Sequence, residues 1–263
     1  MCLILFAHDI DPQYRLLLAA NRDEFYERPT APLAAWDGQP AIFAGRDLKG
    51  GGTWLGITRS GRMAAVTNYR NPRLLLPDAP SRGFLVRDFL AGSEPAERYL
   101  ERIAAEADRY NGFNLIVGDS SGLWYLSNQG APVRRLEPGI YGLSNHLLDT
   151  DWPKVQKGKA ALQQLIQDGQ AGRIEPALAL LADRTPAADA ALPDTGVGLQ
   201  WERVLSPIFI TSETYGTRSS SVLQVSRSGE VTFVERSFRC RAGSVCGSQE
   251  HRFDFCLHNP ADT

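Results

Sequence analysis

Residues 2–25 read CLILFAHDIDPQYRLLLAANRDEF. Two apolar runs flank the polar stretch DIDPQY at residues 9–14. A connection of about six residues suits two neighbouring antiparallel strands. The pattern therefore predicts a buried hairpin that returns the chain to Cys2 just where Asn21, Arg22, Asp23 and Glu24 end the second run.

Further strands are expected at AIFAG (41–45), TWLGIT (53–58) and RMAAVTNY (62–69), with the triple glycine of DLKGGGTW and the Ser-Gly of TRSGRM as turn signals. From Ser81 the apolar spacing changes to three and four. It predicts helices in SRGFLVRDFLAG (81–92) and SEPAERYLERIAAEADRY (93–110), the second capped by Ser93 with Pro95 in its first turn. GFNLIVGDSSGLWYLSN (112–128) reads as a hairpin turning at residues 119–122, and GIYGLSN (139–145) as a strand. A second helix pair follows in residues 152–169 and 174–185, then a Pro-, Ala-, Asp- and Gly-rich loop at 186–197. LSPIFIT (205–211), SSVLQVS (220–226) and EVTFVERSF (230–238) close the chain as strands, the last two joined by a turn at 227–229. Strand blocks separated by helix blocks point to antiparallel sheets with helices on their outer faces, and one α+β domain over residues 1–263 is the simplest solution.

A hydrophobic share of 43%, with 5 Trp, 8 Tyr and 11 Phe, is enough for a large core. A formal charge of -2 with interleaved signs gives no long-range field for nucleic acid or an anionic membrane, so a small-molecule substrate or ligand fits better. No apolar stretch approaches the ~20 residues of a membrane span, and the start lacks the pattern of a secretory signal. The expectation is a cytoplasmic protein without an integral membrane segment. Four cysteines are too few for a disulfide framework, and the spacings among Cys240, Cys246 and Cys256 match no zinc pattern, so no metal is expected.

Cys2 is the residue with the most chemistry to offer. Removal of Met1 would put a thiol and an α-amine on one residue, and the amine can take the thiol proton. The four histidines form no partner motif. As an alternative, Cys2 is a small hydrophobe opening a buried strand. Asp23 could orient the cysteine amine or thiol, and Arg22 could lower the thiol pKa or grip a substrate acid; a solvated strand end is the plainer reading of the same four residues. Asn68 and Asn145 also end apolar strands, where a side-chain amide can serve as oxyanion donor or simply form a turn. Arg218 could meet an anionic ligand or a neighbouring carboxylate.

The ordered set MC (1–2), AANRDEFYERP (19–29), GGTWLGI (51–57), VTNYR (66–70), YNGFNLIV (110–117), YGLSNHLLDTDWPKV (141–155), YGTRSS (215–220) and FVERSF (233–238) resembles the NRDE family, also called the transport and Golgi organisation family. That family in turn resembles the N-terminal-nucleophile hydrolases. The resemblance implies a four-layer αββα sandwich, with Cys2 as nucleophile, Asp23 as its orienting residue, Asn68 and Asn145 as oxyanion donors, and Arg22, Asn21, Glu24 and Arg218 as substrate-binding residues. It departs from the penicillin V acylase and bile-salt hydrolase branch at one point: the position three residues before the aspartate is Ala20, and the arginine is Arg22. For that branch's late arginine the candidates are Arg218 and Arg203.

Two functions from different classes follow. One is an N-terminal-cysteine amidohydrolase or acyl transferase acting on a small amide or thioester, with no cofactor required. The other is a non-catalytic protein on the same fold, since the resembling family is linked to haem trafficking and to lipid or acyl-coenzyme A homeostasis; haem would then be a transported ligand. A scaffold domain is the third possibility, and whether the chain is an enzyme stays open.

Overall fold

The computed structural model describes residues 2–38, 41–241 and 244–258. The opening hairpin is β1 (Cys2–His8) and β2 (Tyr14–Phe25), and its register sets Cys2 opposite Arg22 and Leu3 opposite Asn21. The chain continues through β3 (Thr30–Ala35), β4 (Ile42–Asp47), β5 (Leu55–Thr58) and β6 (Met63–Asn68), then α1 (Gly83–Ala91) and α2 (Ala96–Ala105). Next come β7 (Phe113–Asp119), β8 (Gly122–Ser127), β9 (Ala131–Arg135) and β10 (Gly139–Leu143), followed by α3 (Pro153–Gln167), α4 (Ile174–Leu181) and α5 (Leu199–Leu205). The last strands are β11 (Tyr215–Ser226), β12 (Glu230–Arg241) and β13 (Ser244–Cys256).

One sheet has the order β10-β1-β2-β11-β12-β13, and the other runs β3 to β9 as a meander. Every strand pairing is antiparallel. Helices α1 and α2 cover the meander, while α3 and α4 cover β1, β2, β10 and β11. The result is the expected α+β sandwich of helix, sheet, sheet and helix. All of β1 is buried because both its faces are covered: Ile4 and Phe6 pack between the sheets, whereas Leu3, Leu5 and Ala7 pack against the α3–α4 layer. Burial on two sides is why the run is continuously apolar rather than alternating.

Two expectations need correction, and three strands were not anticipated. LSPIFIT is not a strand: α5 ends at Leu205, and only Thr211 makes an isolated bridge, to Gly216. Its apolar residues Ile208, Phe209 and Ile210 are buried as an irregular segment beneath the sheet, where the backbone N–H of Phe209 donates to the carbonyl of Asp183. Ser93 does not cap α2; the carboxylate of Asp119, arriving from the β7–β8 turn, accepts from the N–H of Ala96 at 2.7 Å. Finally β3, β9 and β13 escape a sequence reading because each is a sheet edge. Pro32 and Pro132 are tolerated there, and β13 carries the polar alternation of an outer strand.

Candidate functional site

The Cys2 end of the hairpin opens into a cavity of about 490 Å³ where β1 and β2 meet the β4–β5 turn, the end of β6 and the start of α1. Its wall includes Cys2, Arg22, Asp23, Glu24, Asn68 and Arg82. A second cavity of about 380 Å³ lies at the opposite end of the hairpin, beside His8 and Asp9, and is lined by none of the candidate residues.

Alternation along β2 divides its polar end. Arg22 lies across from Cys2, and its guanidinium packs 4.6 Å from the Trp54 ring centroid and donates to Thr30 Oγ1 at 3.2 Å. Asp23, one residue on, is paired with Thr217 of β11, whose hydroxyl donates to Asp23 Oδ1 at 2.7 Å and accepts from the N–H of Ile210 at 2.9 Å. That close fit requires Gly216, since a Cβ there would stand 2.6 Å from the Ile210 carbonyl oxygen. Beyond Thr217 the β11 register shifts before Ser219, so Arg218 is an extra, bulged residue. Its Nη1 donates to the carbonyls of Phe25 and Arg28, clamping the β2–β3 turn, and it does not line the cavity.

Asn21 also lies outside the cavity wall. Its Nδ2 donates to the carbonyls of Leu181 and Ile208, both at 2.9 Å, and its Oδ1 accepts from Ser220, so it fastens the helix layer to the sheet. Glu24 is on the cavity wall and pairs with Arg28, which is gripped by Asp47. Asn68 is also on the wall, with its own carbonyl accepting from Nδ2 of the fully buried Asn145 at 3.0 Å. Asn145 thereby ties the end of β10 to the end of β6, while Ser144 donates to the Cys2 carbonyl at 3.2 Å. Arg203 pairs with Asp189 on the surface. Met1 lies outside the described residues, as do the side chains of Cys240 and Cys246. Among the described residues no group of three His, Cys, Asp or Glu could hold a metal ion.

The sequence reading missed the charges beneath the site. Lys154, in the first turn of α3, is buried; its Nζ donates to the Leu205 carbonyl at 2.8 Å. Arg70 and Glu202 form a buried ion pair at 2.7 Å, and Glu202 also accepts from the N–H and hydroxyl of Thr195, latching the 186–197 loop. Lys154 had a detectable signature, for it stands one and two turns before Gly158 and Leu162 on the buried face of α3. Arg70 and Thr217 stand inside motifs already singled out, next to residues that drew the attention instead.

Burial pushes the Cys2 thiol up, and the Asp23 charge adds to this, while Arg22 and the backbone N–H of Asp23 oppose it. Asp23 is likewise pushed up by burial, against the pull of Lys154 and the Thr217 hydroxyl. Lys154 is pulled down to about 8 by burial, with Asp23 opposing. Between pH about 8 and the ordinary 10.5, the unfolded chain binds a proton that the folded Lys154 does not, so this group makes stability rise with pH across that window. The rise is at most about 3 kcal/mol, from a shift of 10.5 − 8 = 2.5. Urea midpoints at pH 8 and pH 10 are expected to show about 2 kcal/mol of that rise in the wild type and lose it in Lys154→Met.

The comparisons with known proteins agree with this architecture. A family model described as Transport and Golgi organisation 2 matches residues 1–240. The Transport and Golgi organization 2 homolog of Mus musculus is 39% identical over 257 residues, covering 90% of this chain and 93% of the relative. The Transport and Golgi organization protein 2 of Drosophila melanogaster is 29% identical over 264 residues, covering 90% and 92%. Among solved structures, the Caenorhabditis elegans N-acylethanolamine-hydrolyzing acid amidase ortholog aligns with a TM-score of 0.51 at 11% identity, over 84% of this chain and 92% of that one. At that identity the likeness shows a shared N-terminal-nucleophile hydrolase fold. A match along nearly the whole chain places it, on sequence, in the Transport and Golgi organisation 2 family.

Proposed function

We propose that the chain is an N-terminal-cysteine amidohydrolase or acyl transferase acting on a small amide or thioester. The observation that carries the reading is the placement of the Cys2 thiol on a cavity wall directly across from Arg22 and beside Asp23. In this reading Met1 is removed and Cys2 Sγ attacks the substrate carbonyl carbon as its proton passes to the Cys2 α-amine. The C–N or C–S bond then breaks, the leaving amine or thiol takes the proton, and a thioester remains on Cys2. Water, or an amine acceptor, attacks the thioester and restores the thiol. Asp23 orients the α-amine, Asn68 donates to the oxyanion, and Asn145 holds Asn68 in position through its carbonyl. The test is hydrolysis of a panel of fatty-acyl amides and acyl thioesters by protein whose intact mass shows loss of Met1. Saturable turnover of at least one class is expected. Complete retention of Met1 with no turnover would overturn the reading.

A second reading, carriage of an amphiphile such as haem or an acyl ligand, is favoured by the rim of the cavity. Leu74, Leu75 and Leu76 are 56%, 64% and 44% exposed, directly before the wall residue Pro77, and Asn111 holds Leu76 by two hydrogen bonds. A saturable Soret shift that depends on Cys2 would support haem carriage, and purely linear adsorption would remove it.

A further inference from the structure

The cavity wall carries two guanidinium groups, Arg22 and Arg82, that feel the acids of the fold only at longer range, Asp47 acting on Arg22 and Glu24 on Arg82. Arg22 is only 5% exposed, yet its hydrogen-bond partner is one neutral hydroxyl, that of Thr30. Arg82, immediately before α1, donates from Nη1 to the Gly112 carbonyl at 2.9 Å. Among the described residues neither has a carboxylate within ion-pair distance. The acids on the same wall are otherwise engaged: Asp47 and Glu24 hold Arg28, and Asp23 is turned to Thr217. Cations withdrawn from water are costly unless paired, and burial pushes the neighbouring Cys2 thiol toward its neutral form.

The position of Arg82 is built into the fold. A Cβ on Gly52 would stand 2.3 Å from the carbonyl carbon of Gly83, so the triple-glycine turn permits the start of α1, and Arg82 with it, to press against the site. Lys49, exposed on the same turn, adds a further positive charge at the mouth.

From this arrangement we infer that the cavity selects ligands bearing an anionic oxygen group, a carboxylate or a phosphoryl group, which Arg22 and Arg82 grip together beside the Cys2 thiol. Planar guanidinium groups suit both, because each offers paired N–H donors to two oxygens. Arg82 is thus a specificity-determining residue. The inference rests on the reading of this cavity as the functional chamber, but its test needs no turnover.

The test is the rate of Cys2 alkylation in the full-length protein by iodoacetate and by neutral iodoacetamide, followed by peptide mapping so that other cysteines do not contribute. The ratio of the two rates cancels the fraction of thiolate and reports the local attraction for an anion. It is expected to exceed that of a free small thiol by about tenfold, to fall by about tenfold in Arg82→Gln, and to be partly restored in Arg82→Lys, the scale of one charge-assisted hydrogen bond. Inorganic phosphate and acetate are then compared as protectants: stronger protection by phosphate assigns a phosphoryl ligand, and stronger protection by acetate a carboxylate. An unchanged ratio in folded Arg82→Gln, or no protection by either anion at millimolar concentration, would overturn the inference. Should Arg82→Gln fail to fold, the wild-type ratio and the protection series decide alone. Turnover failing while the ratio behaves as expected would remove the hydrolase reading and keep the anion site.

Discussion

Replacing Cys2 by Ala is expected to reduce amide or thioester turnover by a factor on the order of 10,000 or more, the scale of losing the nucleophile of a covalent mechanism. Among the described residues the other free cysteine is Cys256, which is exposed on β13 and is not on the cavity wall, so it offers no substitute thiol there. Stability should change by only about 1 kcal/mol, because Cys2 contributes a single small buried side chain. Kinetics and thermal unfolding measured on the same preparation separate the two effects. Turnover within about tenfold of wild type in Cys2→Ala would show that the thiol is not the nucleophile.

The largest expected change in stability comes from Glu202, not from the site itself. Glu202→Ala removes the buried ion pair with Arg70 and strips Thr195 of both its bonds to the carboxylate, and breaking such a pair costs about 3–5 kcal/mol. For a chain of this size that corresponds to a fall in Tm of roughly 10 °C. Arg70 also packs 4.9 Å from the Trp152 ring centroid and interacts with Asp23, so the loss should reach the site. Glu202→Gln keeps the shape and an acceptor oxygen and should cost less. Chemical denaturation of the two variants checks the order, and equal midpoints for Glu202→Ala and wild type would show that the pair contributes nothing.

Much of the sandwich could be read from residue patterns, for reasons visible in particular elements. The β1–β2 hairpin was legible because its turn is short and both strands are apolar, and the helix pairs because their apolar residues keep a helical period. LSPIFIT misled because buried apolar residues look alike in a strand and in an irregular segment; what holds residues 208 and 209 is a side-chain donor from Asn21 and a loop carbonyl at Asp183, neither of which is local. At the site, Cys2, Arg22, Asp23, Glu24 and Asn68 do meet on one wall. Asn21 and Arg218 are drawn elsewhere by bonds across 160 or more residues of chain, which no spacing rule anticipates. Lys154, Arg82 and the Arg70–Glu202 pair come from distant segments and converge only through the fold.

The proposal that Cys2 forms a covalent acyl intermediate is tested most directly by mass spectrometry of the acid-quenched protein after brief incubation with an activated acyl amide or thioester. The account predicts an N-terminal peptide that lacks Met1 and carries one acyl group on Cys2, absent from Cys2→Ala. Substrate consumed with Cys2 unmodified at every time point, or an acyl group found on another residue, would contradict it.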